Sequence, residues 1–185
     1  MKKLLSSLTL ALIAVSFSAL AAAPKLTVSE KVEINASAKT VWAKVQNFGD
    51  LGAFHPAVKT TEITSGTNNK VGAKRLLTLQ DGGTINETLT KYDKKKMMYG
   101  YIITDGVLPV SNYSAVIKVK ALGKDKSVVT WNANFKRKDL ADAPAAGQDD
   151  KAATDTITGV FKGGLENLKK ISEVAPAAES MPAAK

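Results

Sequence analysis

Between Lys74 and Lys138 the chain alternates outward and inward residues in the manner of consecutive antiparallel strands, and the inward set is not purely apolar. Side chains two apart share a strand face. Arg75 therefore falls with Leu77 and Leu79, and Glu87 with Ile85 and Leu89. Tyr99, Tyr101 and Ile103 align, as do Tyr113, Ala115, Ile117 and Val119, and then Val129, Trp131, Ala133 and Phe135. An arginine, a carboxylate, tyrosines and a tryptophan are poor material for a solid core. They suit an enclosed cavity that grips a mostly apolar ligand through a few polar groups.

Asp81-Gly82-Gly83 is a strong hairpin signal. Taken as the loop, it sets Gln80 opposite Thr84, Leu77 opposite Glu87 and Arg75 opposite Leu89. Arg75 and Glu87 are then diagonal neighbours on one face, within reach of a long side chain. The pair reads in two ways: as part of a ligand site, or as a structural ion pair that touches no ligand.

Around this run the organisation is simple. Thr27 to Ile34 alternates as a first strand, and Ser37 or Ala38 opens a short helix through Val41, Trp42, Val45 and Phe48. Gly49 stops it, and Asp50 to Phe54 makes a second short turn ended by His55-Pro56. Further strands span Val58 to Lys136, and Asp139 to Asp150 reads as a flexible loop. A long helix is predicted from about Lys151 to Ser172, with Ile157, Val160, Phe161, Gly164, Leu165, Leu168 and Ile171 in its apolar stripe. Gly159, Gly163 and Gly164 weaken that helix, and the expected compensation is close approach to a curved sheet or room for something held between the two. Residues 174–185 form an Ala/Pro-rich tail whose composition predicts disorder.

The first residues predict export. Met1-Lys2-Lys3 precedes an apolar stretch from Leu4 to Leu20, and Ala19-Leu20-Ala21 fits a small-x-small cleavage site, giving a signal peptide over residues 1–21. Removal of Lys2 and Lys3 lowers the formal charge from +9 to +7, which stays basic. The remaining chain, 26–173, is one domain's worth and has no stable membrane span after cleavage. The absence of cysteine removes thiol nucleophiles and thiolate metal sites, and the single histidine, His55, removes His-based clusters. Neither a metal nor a cofactor is expected. Lysine supplies 24 of the 26 basic residues, spread over turns and outward strand positions such as Lys118 and Lys120. That pattern suits a solvated surface, or steering toward an acidic protein or an anionic membrane surface, while export and the lack of a phosphate-cradling motif argue against nucleic acid.

The order of strand, two short helices, antiparallel strands and long helix resembles the helix-grip fold of the START and polyketide cyclase/dehydrase (SRPBCC) superfamily. Ala38-Lys39-Thr40-Val41-Trp42, Phe54-His55-Pro56-Ala57-Val58 and Gly72-Ala73-Lys74-Arg75 carry the resemblance, with Asp81-Gly82-Gly83 leading to Glu87. Leu108-Pro109-Val110 with Asn112-Tyr113, Val129-Thr130-Trp131 and the Gly159 to Leu168 segment complete it. The resemblance implies an α+β fold in which a curved antiparallel sheet of about six or seven strands wraps around a long C-terminal helix. The leader, the basic domain and the His-Pro and Leu-Pro-Val segments are similar to the branch of periplasmic methanol-oxidation accessory proteins (MxaD-type). That likeness implies assistance to electron transfer from methanol dehydrogenase to its cytochrome.

Three functional classes follow. A periplasmic binding protein would hold a lipid or other hydrophobic small molecule between sheet and helix, lined by Arg75, Tyr101, Tyr113, Trp131 and Phe135, with Glu87 orienting Arg75. Phe54, His55 and Pro109 would stand at the mouth. An accessory protein would instead use its lysine-rich exterior to dock on an acidic periplasmic redox protein. A cyclase or dehydrase would use His55 as general base and the Arg75/Glu87 pair to polarise a carbonyl, although no nucleophile is evident.

Overall fold

The computed structural model describes residues 23–173, so the predicted leader and tail lie outside the described residues. In chain order the elements are β1 (Leu26–Ile34), α1 (Ala38–Val45), a 3-10 turn (Leu51–Ala53), β2 (Val58–Ser65), β3 (Lys74–Leu79), β4 (Thr84–Asp93), β5 (Met98–Gly106), β6 (Val110–Ala121), β7 (Ser127–Arg137) and α2 (Asp150–Glu173). One antiparallel sheet of seven strands runs in the order β1-β7-β6-β5-β4-β3-β2. This is the helix-grip arrangement, with α2 lying along β1 and β7 on the concave side.

Local chemistry sets these elements. Ser37 caps α1 by accepting from the Thr40 N–H, and the helix buries Ala38, Val41, Trp42 and Val45 at helical spacing. β6 from Tyr113 onward and the whole of β7 alternate, with Tyr113, Ala115, Ile117 and Val119 buried opposite outward Lys118 and Lys120, and Val129, Trp131, Ala133 and Phe135 beside them. Register shifts in the β2–β3, β4–β5 and β6–β7 pairings mark bulges that bend the sheet around the helix.

The β3–β4 register differs from the expectation. Thr78 faces Thr84, Leu77 faces Ile85, and Arg75 lies directly opposite Glu87 rather than diagonal to it. Leu79 and Gly83 close the hairpin: the Leu79 N–H donates to the Gly83 carbonyl, and the Gly82 N–H to the Leu79 carbonyl. The loop is therefore Gln80-Asp81-Gly82, one residue earlier than predicted. Gly82, at φ +88°, takes the left-handed position that ends such a three-residue loop. A shift of one loop residue moves the pairing by two, so the buried faces stay in phase.

Two further expectations are corrected near α2. Among its glycines only Gly164 is a close approach: a Cβ there would lie 2.7 Å from His55 Cδ2 and 3.0 Å from Trp131 Cζ3. Gly159 and Gly163 have open space where a Cβ would stand. The loop before α2 is also tied down. Arg137 donates from Nε to the Asp139 carbonyl, from Nη2 to the Ala141 carbonyl and from Nη1 to Asp150 Oδ1, at 2.7, 2.8 and 2.9 Å. Asp139 accepts from the Ala141 and Ala145 N–H groups, and Asp149 caps α2 by accepting from the Ala152 N–H.

Candidate functional site

The space between sheet and helix is small. An inner cavity of about 70 Å3 is lined by Leu77, Leu79, Ile85, Glu87, Tyr101, Ile103, Leu108, Tyr113 and Trp131 from the sheet side. Leu51, His55, Ala57 and Val58 close one end, and Ile157 and Val160 of α2 lie over it. Pockets for drug-sized ligands run to about 300–1,000 Å3, so the aromatics fill most of the expected volume. Trp131 stacks on Phe161 at 4.4 Å between ring centroids, and Phe54 lies against Trp131 at 6.1 Å.

A second, open cleft of about 570 Å3 lies where β5 and β6 part. Their pairing ends at Ile102 opposite Ser114. Beyond it β5 stays with β4, and β6 stays with β7. Asn112, at φ +49°, sits in the β6 irregularity between Ser111 and Ser114. Lys138 ties the hairpin tip by donating from Nζ to the Gly106 carbonyl at 2.8 Å and from its backbone N–H to the Pro109 carbonyl at 3.0 Å. Ile103, Leu108 and Tyr113 line both the cleft and the inner cavity, so they form the partition between them.

Arg75 is fully buried, yet it does not line the inner cavity. Its Nε donates to Glu87 Oε2 at 2.6 Å, and its Nη1 donates to the Phe48 carbonyl at 2.6 Å. Nη2 is also 2.6 Å from Glu87 Oε2, but off the angle of a hydrogen bond. The guanidinium lies 4.1 Å from the Phe48 ring centroid. Arg75 thus fastens the sheet to the segment after α1. Glu87 is the member of the pair that reaches the cavity wall. Burial pushes its carboxyl above the usual carboxylate range, and Arg75 pulls it back.

His55 is buried between the 3-10 turn and α2. Its Nε2 lies 2.9 Å from the Val160 carbonyl, and its Nδ1 accepts from the Ala57 N–H at 3.3 Å. Those partners select the neutral tautomer with the proton on Nε2. Burial holds the imidazole below its ordinary value, against the opposing pull of the Val160 hydrogen bond. Both nitrogens are committed, so the ring works as a clip between loop and helix. Asn167 adds a second clip by donating to the Phe54 carbonyl at 2.9 Å.

Of the residues singled out from sequence, His55, Glu87, Tyr101, Tyr113 and Trp131 meet around the inner cavity. Phe54, Arg75, Pro109 and Phe135 line neither it nor the cleft. Phe135 backs the wall by stacking on Tyr113 at 6.0 Å. Trp131 Nε1 donates to the Tyr101 hydroxyl at 3.1 Å. Burial drives the Tyr101 and Tyr113 hydroxyls well above the ordinary tyrosine value, so both are protonated. Leu51, Ala57 and Val58 were missed as lining residues; their only signal was proximity to His55-Pro56. Among the described residues no group of His, Cys, Asp or Glu could hold a metal ion.

A curved sheet gripping a helix around a small, mainly apolar cavity defines a START-like protein. The chain belongs to the family described as polyketide cyclase / dehydrase and lipid transport, which it matches over residues 25–173. It is similar to the solved structure of the protein XoxI from Bacillus cereus, at 27% identity and TM-score 0.68, covering 78% of this chain and 94% of that one. A putative uncharacterized protein from Bacillus thuringiensis is 28% identical at TM-score 0.69, covering 80% and 98%. The Zhui aromatase/cyclase from Streptomyces sp. R1128 shares the fold at TM-score 0.68 with 14% identity, covering 85% and 99%. No curated protein sequence matches the chain significantly.

Proposed function

We propose that this is an exported, periplasmic binding protein that holds a small, mostly apolar molecule between the sheet and α2. The observation that carries the reading is the inner cavity itself, an almost wholly apolar space whose lining residues include His55, Glu87, Tyr101 and Tyr113. An apolar space of this kind between sheet and helix suits a mostly apolar ligand held by a few polar groups. The resting volume favours a compact ligand, or one that extends past Ile103, Leu108 and Tyr113 into the cleft; a whole lipid needs that partition to open. Native mass spectrometry of the mature protein from its own cells tests this. A discrete bound mass, removed by solvent extraction, is expected; a protein that is always empty and takes up no apolar probe would overturn it.

A second reading, the accessory role in methanol oxidation, draws on the exterior. Lys94, Lys95, Lys118 and Lys120 are all exposed and free to meet an acidic partner. Exposed charges are screened over about 10 Å at 0.1 M salt. A complex with an acidic redox protein should weaken steeply as salt rises, and one indifferent to salt would contradict this role. Catalysis has less support, since His55 has no free nitrogen to act as a base.

A further inference from the structure

His55 closes one end of the inner cavity as a plug seated in a notch. Gly164 of α2 makes the notch: a Cβ there would lie 2.7 Å from His55 Cδ2 and 3.2 Å from its Nε2. The ring fills that gap, meets Trp131 edge-on at 6.0 Å, and lines the cavity beside Leu51, Ala57 and Val160. Two hydrogen bonds hold it there: Nε2 donates to the Val160 carbonyl, and Nδ1 accepts from the Ala57 N–H. Only a neutral ring with its proton on Nε2 makes both. Its loop neighbours Gly52, Ala53, Pro56 and Ala57 are exposed, so water lies one side-chain swing away.

We infer that this plug is a pH-operated gate: a second proton, taken up at Nδ1, unseats the ring from the Gly164 notch and opens that end of the cavity to solvent. A protonated Nδ1 no longer accepts, so its N–H is set against the Ala57 N–H. The surrounding groups give the imidazolium no relief. From β3, Arg75 repels it. From β4, Glu87 lines the same cavity, but its charge is offset by Arg75. The Tyr101 and Tyr113 hydroxyls of β5 and β6 are protonated and neutral. Trp131 of β7 and the Val160 and Gly164 contacts of α2 carry no charge, and Asp50 at the start of the 3-10 turn accepts from the Ala53 N–H. Swung into water, the ring regains its ordinary value of about 6.5, whereas burial holds the seated ring lower. Acid therefore favours the open form as pH falls below about 6.5, and the shift is complete below the seated value. The motion stays local, because Asn167 holds the Phe54 carbonyl and the Gln80 N–H holds the Ala57 carbonyl.

The test is an NMR titration of the wild-type protein from about pH 7.5 to about pH 4.5, following the His55 ring and the amides of Ala57 and Gly164, with far-UV circular dichroism alongside. The ring is expected to titrate below about 6.5, with both amides moving at the same midpoint and the circular dichroism unchanged. Across that midpoint the protection of the Ala57 N–H against hydrogen exchange should fall at least about tenfold. A ring that titrates while Ala57 and Gly164 stay still, or that remains neutral until the whole chain unfolds, would overturn the gate. His55→Gln leaves an uncharged side chain throughout, so its Ala57 and Gly164 signals should lose the transition. A folded variant that keeps the transition would assign it to another group and overturn the proposal too. If that variant does not fold, the agreement or disagreement of the wild-type midpoints decides. None of these readouts uses a ligand, so the gate can fail while the cavity reading stands, and the reverse.

Discussion

Arg75 and Glu87 carry opposite charges and face each other across β3 and β4, and their geometry divides the labour between them. Arg75 spends its donors on Glu87 and on the Phe48 carbonyl, so it holds the fold. Breaking such a pair leaves an uncompensated buried charge and costs about 3–5 kcal/mol. Glu87→Ala should therefore lower urea-unfolding stability by about that much, and Arg75→Leu/Glu87→Leu should recover a large part of it. His55 gives a pH prediction of definite sign. Its folded-state value is depressed by burial, so the folded protein binds that proton less readily than the unfolded chain. Above the unfolded value of about 6.5 the ring is neutral in both states, and its contribution is full. As pH falls below that value toward the lowered folded one, this contribution is lost. Unfolding measured at about pH 7.5 and about pH 5.5 should show a loss at the lower pH that His55→Gln reduces.

Among the elements, α2 shows where sequence reading works and where it stops. The stripe of Ile157, Phe161, Leu165 and Leu168 was legible from spacing, and all four are buried. Of the three glycines only Gly164 stood in that stripe, and only Gly164 meets its neighbours, against His55 and Trp131; the depth of that contact depends on where the His55 loop crosses the helix. Gly159→Ala should stabilise the protein by about 0.5–1 kcal/mol, the difference in helix propensity. Gly164→Ala should destabilise it despite the same propensity gain, and equal thermal shifts for the two variants would contradict the packing described here. The β3–β4 hairpin teaches the same lesson. Alternation set which residues face inward, yet the loop register turned on which glycine takes the left-handed position, Gly82, and two adjacent glycines do not reveal that.

For the whole molecule, the seven-stranded sheet wrapped on one helix follows from strand alternation plus a C-terminal amphipathic helix, and both were readable. The candidate site was legible only in part. Tyr101, Tyr113, Trp131 and Glu87 could be placed on the inner wall by counting in twos, and they do meet there. Counting could not tell that Arg75 is turned away toward Phe48, or that Phe135 stands behind Tyr113, since those positions depend on contacts between distant segments. Nor could it give the size of the interior, which the stack of Trp131 on Phe161 reduces to a small chamber beside a wider cleft. The proposed role stands on ligand occupancy of this chamber. The most direct measurement is a high-resolution crystal structure of the protein purified from its own cells without delipidation. Continuous density in the chamber, with a polar atom at hydrogen-bond distance from Glu87 or Tyr113, is the predicted result. A chamber that is dry or holds only water, in a protein that also excludes added apolar probes, would contradict it.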